Sequence, residues 1–323
     1  MDHVILGRTG LRVSVAGLGT GGFSRLGLGT GGSETNAIAV VRLAHELGVT
    51  LFDTATAYGT QTVLGTALKP LPRASIVITT KTPMHRGNER LTAQQVVTAL
   101  DTSLRELQTD YFDVFQLHGV PPALYDYARD EIVPAVMREK ARGKFRHFGI
   151  SETAPNDTSH STLRRGMEDD LLDVLMVAFH MMHQNARMLI FPQTQAKKVG
   201  TLLMYAVRGI FTHADRVAEA IQELAAAGQV PKELAAQENP LKFLIHASGA
   251  SSLTDAAYRF VRHEPGVDVV LFGTGNPDHL RANISSILKP PLPTADREKL
   301  SSLFGHLVGV GLERPAHATP PPS

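Results

Sequence analysis

Among its 323 residues the chain has no cysteine and no tryptophan. The first absence excludes a disulfide framework, a thiolate nucleophile and any cysteine-ligated metal centre. The second removes the largest aromatic side chain from any pocket wall. Neither sign of charge dominates: 32 Lys and Arg stand against 31 Asp and Glu. No nucleic-acid or anionic-membrane partner is therefore expected. No apolar run approaches the ~18–20 residues a membrane helix requires. The opening "MDHVILGRTG" has no basic segment followed by an apolar stretch, so no signal peptide is expected either. Together these absences predict a soluble cytoplasmic protein.

What is present is a large apolar core, at 43% hydrophobic residues, enough for two ordinary domains or one α/β barrel. Short β-branched runs alternate with longer amphipathic ones. The strand-like runs are "RVSVAGLG", "TLFDT", "SIVITTK", "FDVFQLH", "FRHFGIS", "DVLMVAFH", "TLLMYAV" and "VDVVLFGTG". Several are apolar throughout, as parallel strands covered on both faces must be. In "SETNAIAVVRLAHELG", Ile38, Val41, Leu43 and Leu47 can share a helical face, with Ser33 or Thr35 as cap and Gly48 as stop. "TAQQVVTALDTSLRELQ" and "PAVMREKARG" read the same way.

Eight strand–helix units predict a (β/α)₈ TIM barrel over residues 1–312. An open doubly wound sheet is the alternative, because strand count does not show closure. The connection from Gly209 to Gly266 is too long for a plain loop and reads as a helical insertion after the seventh strand. Residues 313–323 are Pro-rich and expected to be disordered.

The stretch "GLGTGG" occurs twice, at Gly17–Gly22 and Gly27–Gly32, and each copy spells G-x-G-x-x-G. A dinucleotide-binding turn needs a strand before the glycines, a helix after, and an acid about 20 residues on. The first copy has a strand but no helix. The second abuts a helix, yet "FSRL" before it is no strand, and no acid is suitably placed. The repeat reads as strand-end loop with glycines for tight turns and close approach.

Four proton-handling residues stand at consecutive strand ends: Asp53 and Tyr58 in "FDTATAYG", Lys81 in "ITTK" and His118 in "FQLH". A barrel gathers such ends on one face. Each alone has an ordinary structural reading; their convergence is what points to chemistry. A tyrosine needs help to exchange protons near neutrality; the Lys81 ammonium favours its phenolate, and Asp53 can hold that ammonium. His118 can polarise a carbonyl oxygen. The set suits making or breaking a carbonyl, with the hydride drawn from a cofactor.

"FDTATAYG", "ITTK", "LDTSLRELQTDYFDVFQLH", "GKFRHFGIS" and "VLFGTGNPDHLRANI", with the opening "VILGRTGLRVSVAGLGTGGF", resemble the aldo-keto reductase superfamily over nearly the whole chain. The resemblance implies a (β/α)₈ barrel with an N-terminal β-hairpin, binding NAD(P)H, and carbonyl reduction or its reverse. It implies that Asp53, Tyr58, Lys81 and His118 are the catalytic tetrad, with Tyr58 as general acid/base. Gly19 and Thr20 would lie near the nicotinamide, Tyr205 would stack on it, and Ser151, Glu152 and Met176 would occupy the carboxamide clamp. Arg208, Gly273, Thr274, Gly275, His279 and Asn283 would line the rest of the cofactor site.

Departures accompany the resemblance. Glu152 and Met176 stand where the family has Asn and Gln, and an ionised carboxylate and a thioether cannot donate as amides do. The basic residues that often hold the NADP 2′-phosphate align with Gly273, Asn276 and His279, leaving Arg208 and Arg281 nearby. NAD(H) is therefore expected to serve at least as well as NADP(H). Finally, "HMMH" (His180 to His183) invites a metal reading but has no carboxylate in register. The expected partner is a small carbonyl or alcohol; the alternative function is a non-catalytic cofactor-binding sensor or regulatory subunit.

Overall fold

A computed structural model describes residues 1–312 apart from Asn88 and His213; the expected disordered tail at 313–323 lies outside the described residues. The run from Arg12 to Gly19 is two strands. β1 (His3–Ile5) and β2 (Arg12–Ser14) form an antiparallel hairpin, and β3 (Ala16–Gly19) starts the barrel. The barrel continues with β4 (Leu51–Asp53) and β5 (Val77–Pro83), and a small outer hairpin, β6 (His85–Arg86) and β7 (Glu89–Arg90), follows. β8 (Phe112–Val120), β9 (Phe145–Glu152), β10 (Val174–Ala178), β11 (Gly200–Met204) and β12 (Val269–Phe272) complete it. All eight barrel strands pair in parallel, and β12 closes on β3 through Val270↔Ala16, Leu271↔Gly17 and Phe272↔Leu18. The open-sheet alternative is excluded.

Alternate residues of each strand face inward, and these make the barrel interior. Leu51, Val77, Val114, Val174, Met176, Leu202 and Val269 form one buried apolar cluster, joined by Leu6 and Val13 of the hairpin. The hairpin thus plugs the N-terminal end of the barrel. Gly17 is bare because the interior is full there: an added Cβ would sit 2.8 Å from Leu271 and 2.9 Å from Leu51 side-chain carbons.

Helices cover the outer face. Ser33 caps the helix Glu34–Glu46 by accepting from the Asn36 amide, as its sequence predicts. The core face differs from the expected one. Ala37, Val40, Val41 and Ala44 are buried, whereas Ile38, Leu43 and Leu47 are only partly so. Alanines allow the helix axis to approach the strands closely, and the larger residues flank the contact. Thr92 and Gln95 form a reciprocal capping box on Ala93–Glu106, of a kind worth ~1 kcal/mol. The insertion after β11 carries the helix Ala214–Ala226, a short helix Lys232–Ala235 and an irregular stretch before the helix Leu253–Arg262. The final helix, Thr294–Phe304, leads into a segment whose Leu312 is fully buried at the C-terminal mouth of the barrel. No helix among the described residues is long and apolar enough to cross a membrane.

Candidate active site

The barrel brings the four strand-end residues together. Asp53 is the last residue of β4; Lys81 and His118 lie in β5 and β8, each of which runs two residues further than the sequence predicts. Tyr58 sits on a 3₁₀ turn, Thr56–Tyr58, ended by Gly59 at φ 68°. Lys81 Nζ donates to both Asp53 oxygens at 2.7 Å and to the Thr54 carbonyl at 3.0 Å. Tyr58 adds a further polar contact to the ammonium. The Tyr58 ring centroid lies 5.1 Å from Lys81 Nζ, and the His118 ring meets it edge-on with centroids 5.5 Å apart.

Burial works against the Lys81 ammonium, but Asp53 and then Tyr58 hold its pKa above the usual lysine value. The charged pair is the state that satisfies both groups' bonds. Burial pushes the Tyr58 phenol up, and Lys81 pulls it back only in part. Lys81 thus acts in the expected sense, yet burial outweighs it and Tyr58 rests as a protonated phenol. Burial, with Lys81 and His85 nearby, drives His118 down to about 3, so its imidazole is neutral at pH 7 and carries a single N–H.

Around this centre the remaining residues divide. Thr20 is buried, its amide donating to the Asp53 carbonyl at 2.8 Å and its hydroxyl paired with Thr60 at 2.8 Å. Gly19 ends β3 beside it. Ser151 is in register with Met176 across β9 and β10, and its Oγ accepts from the Gly119 amide at 2.8 Å. Among the described residues its own hydrogen remains to be donated. Met176 packs in the interior apolar cluster.

Glu152 is fully engaged elsewhere. One oxygen accepts from the Ala178 amide at 2.7 Å, and the other meets His160 Nδ1 at 2.7 Å. His160 Nε2 faces Asn185 Oδ1 at 3.0 Å, an orientation set by Asn185 Nδ2 donating to the Thr158 carbonyl. Both His160 nitrogens therefore meet acceptors, which calls for an imidazolium. Burial opposes that charge, but Glu152 holds the His160 pKa above its usual value. Nothing in the sequence signalled His160 as the partner, because it lies in a loop without periodicity.

Tyr205 directly follows β11, the seventh barrel strand, at φ 72°, a conformation costing a bulky residue about 1–3 kcal/mol. The Arg208 guanidinium stacks over its ring at 4.1 Å and donates to the Leu312 carbonyl at 2.9 Å. At the last loop, Thr274 Oγ1 accepts from the Asn276 amide, and Asn276 caps the helix Pro277–Leu288 through the Asp278 and His279 amides. His279 is exposed and Asn283 half-buried on that helix. Gly273 lies against Gly19 and Gly275 against the Gly27 backbone, which is where the second "GLGTGG" packs. His180 and His183 are buried side by side, ring centroids 5.9 Å apart. Among the described residues no group of three or more His, Asp or Glu side chains is placed to hold a metal ion.

Comparison with known proteins agrees with this geometry. Residues 17–303 match the profile of the Aldo/keto reductase family. The chain is 27% identical over 330 residues to aldo-keto reductase YhdN of Bacillus subtilis, covering 95% of each. It is 33% identical over 204 residues to L-galactose dehydrogenase of Arabidopsis thaliana, covering 61% of this chain and 62% of that one. In fold it is similar to the holo form of aldo-keto reductase AKR11C1 from Bacillus halodurans, at TM-score 0.72 and 23% identity, over 97% of this chain and all of that one. The chain belongs to the aldo-keto reductase family of oxidoreductases.

Proposed function

We propose that this protein reduces a small polar carbonyl compound, or oxidises the corresponding alcohol, with Tyr58 as proton donor and acceptor. The observation that carries this reading is the convergence of Tyr58 on a buried, charged Lys81–Asp53 pair and on His118. In the direction of reduction, the protonated Tyr58 phenol donates to the carbonyl oxygen. The neutral His118 imidazole polarises that oxygen with its N–H. Lys81 stabilises the phenolate left behind, and Asp53 keeps the ammonium in place.

The family generally uses NAD(P)H, which when bound supplies the hydride. The residues present fit it at the nicotinamide end, where Ser151 keeps a hydroxyl hydrogen to donate and Tyr205 offers a ring at the barrel mouth. Glu152 is committed to His160 and Ala178, so Ser151 and Tyr205 are the proposed holding residues. Gly273, Asn276 and the exposed His279 stand where basic residues often hold the 2′-phosphate, with Arg208 and Arg281 as the nearby guanidinium groups, and the backbone of Gly27 fills the space an added side chain at position 275 would need. A 2′-phosphate gains little charge-assisted bonding there. NADH should therefore serve at least as well as NADPH.

The relative named L-galactose dehydrogenase supports a small oxygen-rich substrate. A sensor or regulatory role is disfavoured because cofactor binding alone has no need of the four proton-handling groups. The test is turnover of a panel of short aldehydes, ketones and aldoses, with the reverse sugars and alcohols, using NADH and NADPH in parallel. Turnover with NADH at least equal to that with NADPH supports the reading. Cofactor binding without turnover of any compound would favour a sensor.

A further inference from the structure

We propose that Gly21, in the first "GLGTGG", is a positioning residue for Tyr58, its missing side chain making the seat on which the phenol ring rests. The proposal rests on the proton-donor reading of Tyr58 and deepens it. An added Cβ at Gly21 would sit 2.5 Å from both Cε2 and Cζ of Tyr58 and 2.9 Å from Cδ2, closer than real Cβ contacts allow. The backbone at Gly21 is not in the left-handed region, so alanine suits the main chain. The obstacle is the ring.

Neither loop is free to slide away from the other. Thr20, next to Gly21, is pinned by its amide to the Asp53 carbonyl at 2.8 Å. Thr60, two residues beyond Tyr58, shares a buried hydroxyl contact with Thr20 at 2.8 Å and with Thr54 at 3.3 Å. With both loops tied, the strain of a methyl group at position 21 falls on the Tyr58 ring. The ring must then leave its present distances from Lys81 (5.1 Å) and His118 (5.5 Å). Gly21 occupies a variable position of the G-x-G-x-x-G pattern, and the glycine at this point is accounted for by tyrosine placement rather than by a nucleotide turn.

The experiment is Gly21→Ala alone and in a Tyr58→Phe background, with steady-state kinetics and a crystal structure of the single variant. Displacements of the order of an ångström in such sites cost up to about 10²-fold, so kcat should fall roughly 10- to 100-fold with cofactor KM changed by less than about twofold. In the Tyr58→Phe background the same substitution still displaces the ring, but the proton-donating hydroxyl is already gone, so the residual kcat should change by less than about twofold. A wild-type kcat in Gly21→Ala, or an equal loss in both backgrounds, would overturn the proposal. Should the wild-type protein turn over nothing, the reading of Tyr58 as proton donor fails. The crystal structure still decides the seat, because a Tyr58 ring unmoved in Gly21→Ala refutes it.

Discussion

Replacing Lys81 with methionine separates the structural and chemical duties of the tetrad. Lys81 is 1% exposed and Asp53 3%, and the ammonium donates at 2.7, 2.7 and 3.0 Å to Asp53 and the Thr54 carbonyl. Methionine keeps the straight stem and removes the charge. The Asp53 carboxylate is then buried without its partner, a change that costs about 3–5 kcal/mol. Urea denaturation at pH 7 should show that loss. Making the pair apolar in Lys81→Met/Asp53→Leu should recover most of it, since a well-packed apolar replacement of a buried ion pair is often neutral. Turnover should not return, because Tyr58 would then lack the ammonium that steadies its phenolate. A loss below about 1 kcal/mol in the single variant would refute the pairing, given the cost expected for an orphaned buried charge. Recovery of turnover in the double variant would refute the role of Lys81.

Two further outcomes follow from the buried polar groups. In Glu152→Gln the shape is kept but the imidazolium at His160 loses its counter-charge, so stability should fall by about 3–5 kcal/mol; an unchanged urea midpoint would show that the pair is not charged. His183 is held by burial down to about 3, and His180 lies well below its usual 6.5. As pH falls through 6.5 the unfolded imidazoles take up protons and the buried ones do not, so stability should decline from pH 7 toward pH 4, each contributing up to about 1.4 kcal/mol per pH unit. His183→Gln should flatten that slope by one proton's worth in urea titrations at several pH values, and an unaltered slope would contradict the assignment.

Much of this was legible in the amino-acid order, for physical reasons. Strands such as "DVLMVAFH" are apolar on both faces because each face is covered, one by the barrel interior and the other by a helix. The convergence of Asp53, Tyr58, Lys81 and His118 was legible because strand ends in a parallel barrel must converge. Closure was not, because β12 meets β3 across about 250 residues of chain and nothing local records that pairing. The clamp positions were legible as departures, but not the destination of Glu152, whose partner His160 is fixed by tertiary packing alone. The core face of the first helix keeps the expected Val41 but adds Ala37, Val40 and Ala44, because the small alanines allow close approach while Ile38, Leu43 and Leu47 flank the contact. The second "GLGTGG" yielded its role only in three dimensions, where Gly27 lies against Gly275.

The central claim is that Tyr58 moves the proton. Its most direct test is the turnover of Tyr58→Phe against the wild type on the best carbonyl substrate, with cofactor affinity measured on both by fluorescence titration. The ring and its contacts with Gly21, Lys81 and His118 are retained, and only the hydroxyl is lost. Positioned proton transfer contributes about 10²–10⁴-fold, so kcat should fall by roughly 10²-fold or more while cofactor affinity stays within about threefold. A Tyr58→Phe variant that turns over near the wild-type rate would contradict the account.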